Sequence, residues 1–340
     1  MGRPRSVTLS WEAKEGAFEA AEGRPPRRAW ATEGATGWLL EGDNLGVLQG
    51  LAATHAGAVS LAYLDPPFFT NREHAAWLHK AGAPRTSRTR VHAFDDRWED
   101  LPAYLDALGA RLAATRALLA PHGSIVVHVD PKTSHYVRVL GDEIFGADSF
   151  ASEIVWRYRR WPSKTPNFQR VHDVLLRWRK DPKARPRWNQ AYEPLAASTL
   201  ATWGTLKQRA VYAEDGRRAR SSSTAEKTAG VPMGDVWEIG VLAPLARERT
   251  GYPSQKPEAL LERLVGALSD VGDLVLDPYA GSGTTLAVAH RLGRSFLGID
   301  ASPLALQTTR QRLELACGPL EERAFTPAAS ARVVRAALRR

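Results

Sequence analysis

Between Asp273 and Asp300 the chain reads DLVLDPYAGSGTTLAVAHRLGRSFLGID. Two short apolar segments bracket one of helical length, with a Gly-Ser-Gly turn at its entry. Strands joined through a helix lie parallel, because a crossover of that length packs back onto the same sheet. The alternation recurs upstream. AVSLAYL (Ala58 to Leu64) and SIVVHVD (Ser124 to Asp130) read as buried strands, and LPAYLDALGARLAATRALLAPHG between them as an amphipathic helix closed by Pro121 and Gly123. GWLLEGDNLGVLQGLAATH gives a further strand, turn and helix, and SEIVWRYRR and VHDVLLRWRK give two more strands. The pattern predicts an α/β fold, a doubly wound, mainly parallel sheet with helices on both faces. Ligands of such sheets sit outside the carboxyl ends of the strands.

Two strand ends carry unusual residues. The first strand stops at Asp65, followed by Pro66, Pro67, Phe68 and Phe69. Two prolines end any ladder, so the stretch is either a stiff turn or a device that fixes an acid at a strand tip. The second strand stops at Asp277 and leads into Tyr279-Ala280-Gly281-Ser282-Gly283-Thr284. Glycines let a ligand approach the backbone, and the helix that starts near Thr284 offers free N–H groups. Asp300, at the next strand end, is placed to accept bonds from ribose hydroxyls. A nicotinamide or flavin site would want G-x-G-x-x-G around a pyrophosphate. Asp277 would repel a pyrophosphate and suits a ligand with an amino group. A plain tight strand–helix turn would also carry these residues.

Composition narrows the partners. The formal net charge of +9 over 340 residues points to a polyanion, most simply nucleic acid. Residues 151–191 hold eleven Lys or Arg against Glu153, Asp173 and Asp181, with Trp156, Trp161, Trp178 and Trp188 interleaved. Residues 70–98 read as a long basic loop. Cys317 is the only cysteine, so no intrachain disulfide forms and a reducing compartment fits. No apolar run approaches the ~20 residues that span a bilayer, and the N-terminus has no apolar signal-peptide core; a cytoplasmic protein with no membrane contact is the expectation. Residues 1–30 read as a flexible arm, 31–180 and 251–317 as two halves of one domain, 181–250 as an irregular insertion, and 318–340 as a basic tail.

With LDPPF and LDPYAGSGTTLAVAHRLGRSFLGID in place, together with GDNLGVL, GSIVVHVD, EIVWRYRR, HDVLLRW and YPSQKPEALLERLV, the chain resembles the permuted (β-class) amino DNA methyltransferases. These use S-adenosylmethionine and carry a D/N/S-P-P-Y/F/W tetrad N-terminal to the cofactor-binding F-x-G-x-G motif. The likeness covers about residues 37 to 180 and 250 to 315. Tyr279 stands where Phe is common, Phe68 where Tyr is commoner, and Phe69 where Asn often follows the tetrad.

The resemblance implies a seven-stranded Rossmann-like sheet and methyl transfer to the exocyclic amine of a base flipped from double-stranded DNA. Asp65, Pro66, Pro67 and Phe68 would be catalytic. Asp277, Tyr279, Gly281 and Gly283 would line the methionine part of the cofactor, Asp300 its ribose, Lys256 its carboxylate, and Asp43 and Asn44 its adenine side, with Ser282 and Thr284 also cofactor-binding. Asp43 equally reads as a helix N-cap, and His128 as a structural hydrogen-bonding residue. Neither a metal nor a nucleophilic side chain is needed. Asp at the first tetrad position favours adenine N6; cytosine N4 is the alternative, and a catalytically inactive DNA-binding subunit is the rival of another class. Residues 181–250 map to the target-recognition region. A homodimer and a restriction-endonuclease partner are carried over with the family.

Overall fold

The computed structural model describes residues 7–12, 14, 22–79, 88–162, 164 and 166–326. Residues up to Asn189 and from Asp235 onward form one compact unit, and Gln190–Gly234 forms a second.

The first unit is built on a ten-stranded sheet. Its order is Val236–Glu238, Phe150–Arg157, His172–Arg179, Leu119–Val129, Val59–Leu64, Leu274–Asp277, Ser295–Asp300, Gly37–Glu41, Arg28–Ala31, Glu321–Glu322. The four strands from Leu119–Val129 to Ser295–Asp300 are mutually parallel, and Gly37–Glu41 extends that run. The expected seven strands are the inner ones, Phe150–Arg157 through Gly37–Glu41. The other three are edge strands of two to four residues. They are too short to show an apolar period, and they cap edges that would otherwise expose unpaired backbone. Val59–Leu64 and Leu274–Asp277 are buried at every position, as continuous apolar runs in a parallel sheet must be when helices cover both faces.

On one face pack the helices Asn44–His55, Leu101–Leu118 and Ser134–Phe145, each against the next. Their Leu48, Leu51, Leu105, Leu112, Val137 and Leu140 share a core with Leu40, Ala62, Leu64, Leu276 and Ile299 of the strands. The helices Glu258–Leu268, Thr284–Arg291 and Pro303–Cys317 form the second group. Helix Leu101–Leu118 carries the chain from Val59–Leu64 to one side of the sheet, whereas Thr284–Arg291 carries it from Leu274–Asp277 to the other. The boundary between these two strands is therefore the topological switch point, where a cleft opens at the carboxyl ends.

Three stretches are more ordered than their sequence suggests. Arg28–Ala31 is a sheet strand, and Trp11 donates its indole N–H to Asp106 at 3.0 Å, so residues 1–30 are not wholly a loose arm. Residues 70–98 are not a loop but hold an antiparallel hairpin, Arg72–His79 with Arg88–Asp96; residues 80–87 lie outside the described residues. Charged residues on its outer face had masked the alternation. The insertion is narrower than 181–250. The second unit contains the helix Ala197–Trp203, a hairpin of Leu206–Tyr212 with Arg218–Lys227, and a short pairing of Tyr192–Glu193 with Val231–Pro232. Most of the tail, 327–340, is outside the described residues. Among the described residues no helix is long and apolar enough to cross a membrane.

Candidate active site

Asp65 and Asp277 emerge at neighbouring strand tips: Ala62 pairs with Leu276 in parallel register, which sets Asp277 level with Tyr63 and Asp65 two residues further on. Asp300 ends the next strand, whose Gly298 is paired with Asp277. Three carboxylates thus stand at three adjacent strand tips, as the two motifs require. Around them lies a cavity bounded by Tyr63, Asp65, Phe68, Tyr252, Lys256 and the Asp277–Thr285 loop. A second cavity, lined by Asp43, Asn44, Tyr104 and Arg111, shares Pro66, Pro67, Tyr279 and Asp300 with the first. The sequence candidates from both halves of the domain therefore meet at one place.

The turn after Asp65 is held by a residue that the sequence reading missed. Asp96, 1% exposed, accepts the backbone N–H groups of Phe68, Phe69 and Thr70 at 3.1, 3.0 and 2.9 Å. It also accepts the Thr70 hydroxyl at 2.6 Å and the Trp98 indole at 3.0 Å. Phe69 adopts a left-handed φ of 57°, uncommon for a bulky side chain, and these bonds hold it there. The twist separates the two rings. Phe69 turns back to the core, 5.6 Å from the Tyr104 ring, whereas Phe68 lines the cavity. A cluster of backbone donors around one acid leaves no sequence pattern, so Asp96 was not legible.

The Asp65 carboxylate is asymmetric. Oδ2 accepts Lys256 Nζ at 2.5 Å, and Lys256 also lies 5.0 Å from the Phe68 ring centre. Oδ1 is buried with no hydrogen-bond partner among the described residues and stands 3.7 Å from His128 Nδ1. His128, wholly buried, meets the Tyr63 hydroxyl at 2.8 Å through Nδ1 and Asp173 at 3.3 Å through Nε2. Tyr158 donates to the other oxygen of Asp173 at 2.9 Å. Burial pushes the Asp173 carboxyl up, but the hydrogen bonds of His128 and Tyr158 and the charges of His128 and Lys256 together outweigh it and leave the group below its usual value. His128 is thus hydrogen-bonded as expected, in a network whose acid the sequence did not single out. Asp130 is paired with Arg170 at 2.5 Å.

At the second strand tip Gly281 and Gly283 take φ values of 52° and 73°. A Cβ at Gly283 would also come within 2.8 Å of Thr309, so only glycine fits. Gly281 N–H donates to Asp300 at 2.8 Å, and Arg312, unforeseen, donates to the Ser282 carbonyl (3.3 Å) and the Thr284 hydroxyl (2.9 Å). Asn44 donates to the Pro278 carbonyl at 2.9 Å and accepts from Arg111. Asp43 caps its helix through Gly46 N–H at 3.1 Å and pairs with Arg111, so the capping reading holds while it also lines the second cavity. Desolvation raises the Asp277 carboxyl to about 7, and burial also raises Asp300. A buried acid driven up in this way favours a cationic partner.

Residues 59–311 match the sequence model of the N6_N4_Mtase family of DNA methylases. The chain belongs to this family. The matched span contains both strand tips. Among the DNA methylases, the chain is 28% identical over 310 residues to the type II methyltransferase M.EcaI of Enterobacter cloacae, covering 76% of this chain and 66% of that enzyme. It is 27% identical to the DNA adenine methyltransferase YhdJ of Escherichia coli K12, covering 82% and 83%. The structure of the cytosine-N4-specific PvuII DNA methyltransferase superposes with a TM-score of 0.55 at 16% identity, over 94% of this chain and 97% of that one, and shares the fold.

Two outcomes follow from this geometry. The raised Asp277 carboxyl means that the folded protein favours the protonated acid over the ionised form relative to the unfolded chain. Its contribution is fully present below the unfolded value of 3.8 and is lost as the pH rises through about 7. Asp277→Asn, neutral throughout, is expected to unfold at higher urea than the wild type near pH ~8, with the gap closing towards pH ~4. A gap independent of pH would refute the assignment. Asp96→Ala strands three backbone N–H groups and an indole, at a cost on the order of 3 kcal/mol in urea denaturation, with Asp96→Asn costing less.

Proposed function

We propose that this DNA methylase transfers a methyl group from S-adenosylmethionine to the N6 of adenine in duplex DNA. The observation that carries the reading is the buried Oδ1 of Asp65, with no hydrogen-bond partner among the described residues, at a proline-fixed strand tip beside the Gly281–Gly283 turn. The donor set fits the cofactor. Asp277 answers an ammonium, Asp300 a ribose, and Lys256 a carboxylate, while Asn44 and Asp43 border the cavity next door on its adenine side, and Tyr279 lines both cavities. Bound there, S-adenosylmethionine supplies an electrophilic methyl on a sulfonium.

The amine lone pair of the base is delocalised into the ring and must be freed. Asp65 and the Pro66 carbonyl accept its two N–H bonds and draw the nitrogen towards a tetrahedral shape. Neither proline has an N–H to compete for these acceptors. Phe68 stacks on the flipped base and closes the site to water. The protein's contribution is positioning and electrostatic fit. When the N–C bond forms, the departing amine proton passes to Asp65 or to water.

Adenine is favoured over cytosine N4 by the acid at the first tetrad position and by the kinship with an enzyme named for adenine. Residues 181–250, with exposed Lys207, Gln208 and Arg209 on the hairpin, are assigned to target recognition. The names of the type II relatives support a role beside a restriction endonuclease.

Asp65→Ala is expected to abolish methyl transfer while S-adenosylmethionine still raises the thermal midpoint; normal turnover would overturn the mechanism. Mass spectrometry of nucleosides from treated DNA is expected to show N6-methyladenine. N4-methylcytosine alone would reassign the base and leave the mechanism standing.

A further inference from the structure

The strands Phe150–Arg157 and His172–Arg179 are antiparallel neighbours, joined at the edge of the sheet where Asp65 and Asp130 emerge. The connection between them is closed at its base by Tyr158 N–H donating to the Val171 carbonyl at 2.9 Å. Both of its roots are tied down at the carboxyl end of the sheet, one of them through His128 to the wall of the site. Tyr158 bonds Asp173, Asp173 meets His128, and the His128 ring lies 5.3 Å from that of Phe68. On the other limb Arg170 bonds Asp130. Further out, Gln169 donates to the Trp161 carbonyl at 2.7 Å and braces one limb against the other.

At this braced end two large rings face solvent. Trp161 is 93% exposed and Phe168 99%. Arg159, Arg160 and Lys164 are exposed beside them, and no acid occurs between Glu153 and Asp173. Rings held outward from an anchored loop are not part of a core, and adjacent apolar exposure of this kind marks a contact surface. Unrelieved positive charge around the rings selects a polyanion with stackable faces over a protein surface.

We propose that Trp161 and Phe168, with Arg159, Arg160 and Lys164 beside them, form a strand-opening wedge. Trp161 and Phe168 enter the base stack of duplex DNA and fill the gap left when the target nucleotide turns into the Asp65 pocket, while Arg159, Arg160 and Lys164 hold the flanking phosphates. The inference rests on the proposed reaction and adds to it. Phe68 receives the extruded base, whereas the loop compensates the duplex for losing it. An inserted apolar side chain restores part of the stacking that extrusion removes, and the anchored roots fix the distance between gap and pocket.

The test uses the full chain, with its recognition site read from the bases methylated in the genome of a host that expresses it. Trp161→Ala/Phe168→Ala is compared with the wild type on two duplexes, one fully paired and one with an abasic position opposite the target. Both side chains are exposed, so the thermal midpoint is expected to stay unchanged. On the paired duplex kcat/KM is expected to fall by roughly tenfold or more; on the abasic duplex, where no pair has to be broken, it returns to within about twofold of wild type. An equal loss on both substrates, or no loss on either (the outcome if the rings serve a protein partner), overturns the wedge. A wild type that methylates neither duplex overturns the reaction itself, and the wedge with it.

Discussion

The parallel pairing of Val59–Leu64 with Leu274–Asp277 is the contact on which the rest depends. It joins segments more than 200 residues apart, at the point where the helical crossovers diverge to opposite sides of the sheet. Register is strict in a strand buried on both faces, because a slip of one residue would exchange the core-facing set. That register sets Asp277 level with Tyr63, two residues before Asp65, so the two carboxylates at the strand tips are fixed relative to each other by backbone hydrogen bonds. The hairpin, the lysine segment and the Gly turn then close around a cleft that the topology has already opened. The cost lies in folding. Contacts this distant must overcome loop-closure entropy before they are rewarded, so the site forms only when the two halves dock.

What fixes the tip itself is different. Pro66 and Pro67 stiffen the chain, but they do not choose its direction. Asp96, on the far strand of the hairpin, chooses it by collecting three consecutive backbone donors. One consequence is the division of labour between adjacent rings. Phe69 packs on Tyr104 and anchors the turn to the core, which leaves Phe68 facing the cavity beside Lys256 and His128. A hairpin that looked like a loose basic loop is therefore the frame of the turn after Asp65.

Much of this was legible in the sequence, and the rest was hidden for identifiable reasons. Buried parallel strands write themselves as uninterrupted apolar runs, so the inner sheet and both strand tips could be read directly. The tetrad and the Gly turn concentrate their chemistry within a few residues, and the structure brings Asp65, Lys256, Asp277 and Asp300 to one cavity. Asp96, Asp173, Arg111 and Arg312 act through partners 26 to 68 positions away in sequence. A lone acid or arginine inside an ordinary strand or helix gives no local sign of such a role. The three edge strands were missed because two to four residues carry no period.

The charge balance of the cavity also bears on what it accepts. The chain as a whole carries +9, yet Asp65, Asp96, Asp277 and Asp300 line this cavity against the single ammonium of Lys256. Asp96 is satisfied by its backbone donors, and Asp65 shares Lys256 through one oxygen only. Among the described residues no cation is paired with Asp277, and burial raises its pKa despite the hydrogen bonds it accepts from Tyr279 N–H and Thr285. An anionic ligand such as a pyrophosphate would deepen that deficit. A ligand with two positive centres and one carboxylate would relieve it. Its ammonium would meet Asp277, and its sulfonium would sit within the field of the acids. Its carboxylate would compete with Asp65 for Lys256 and so release Oδ2 for the substrate amine. On the proposed reading a basic exterior would draw in the polyanion, while the acidic interior would keep phosphate out and leave the strand tip to a neutral amine and a cationic methyl donor.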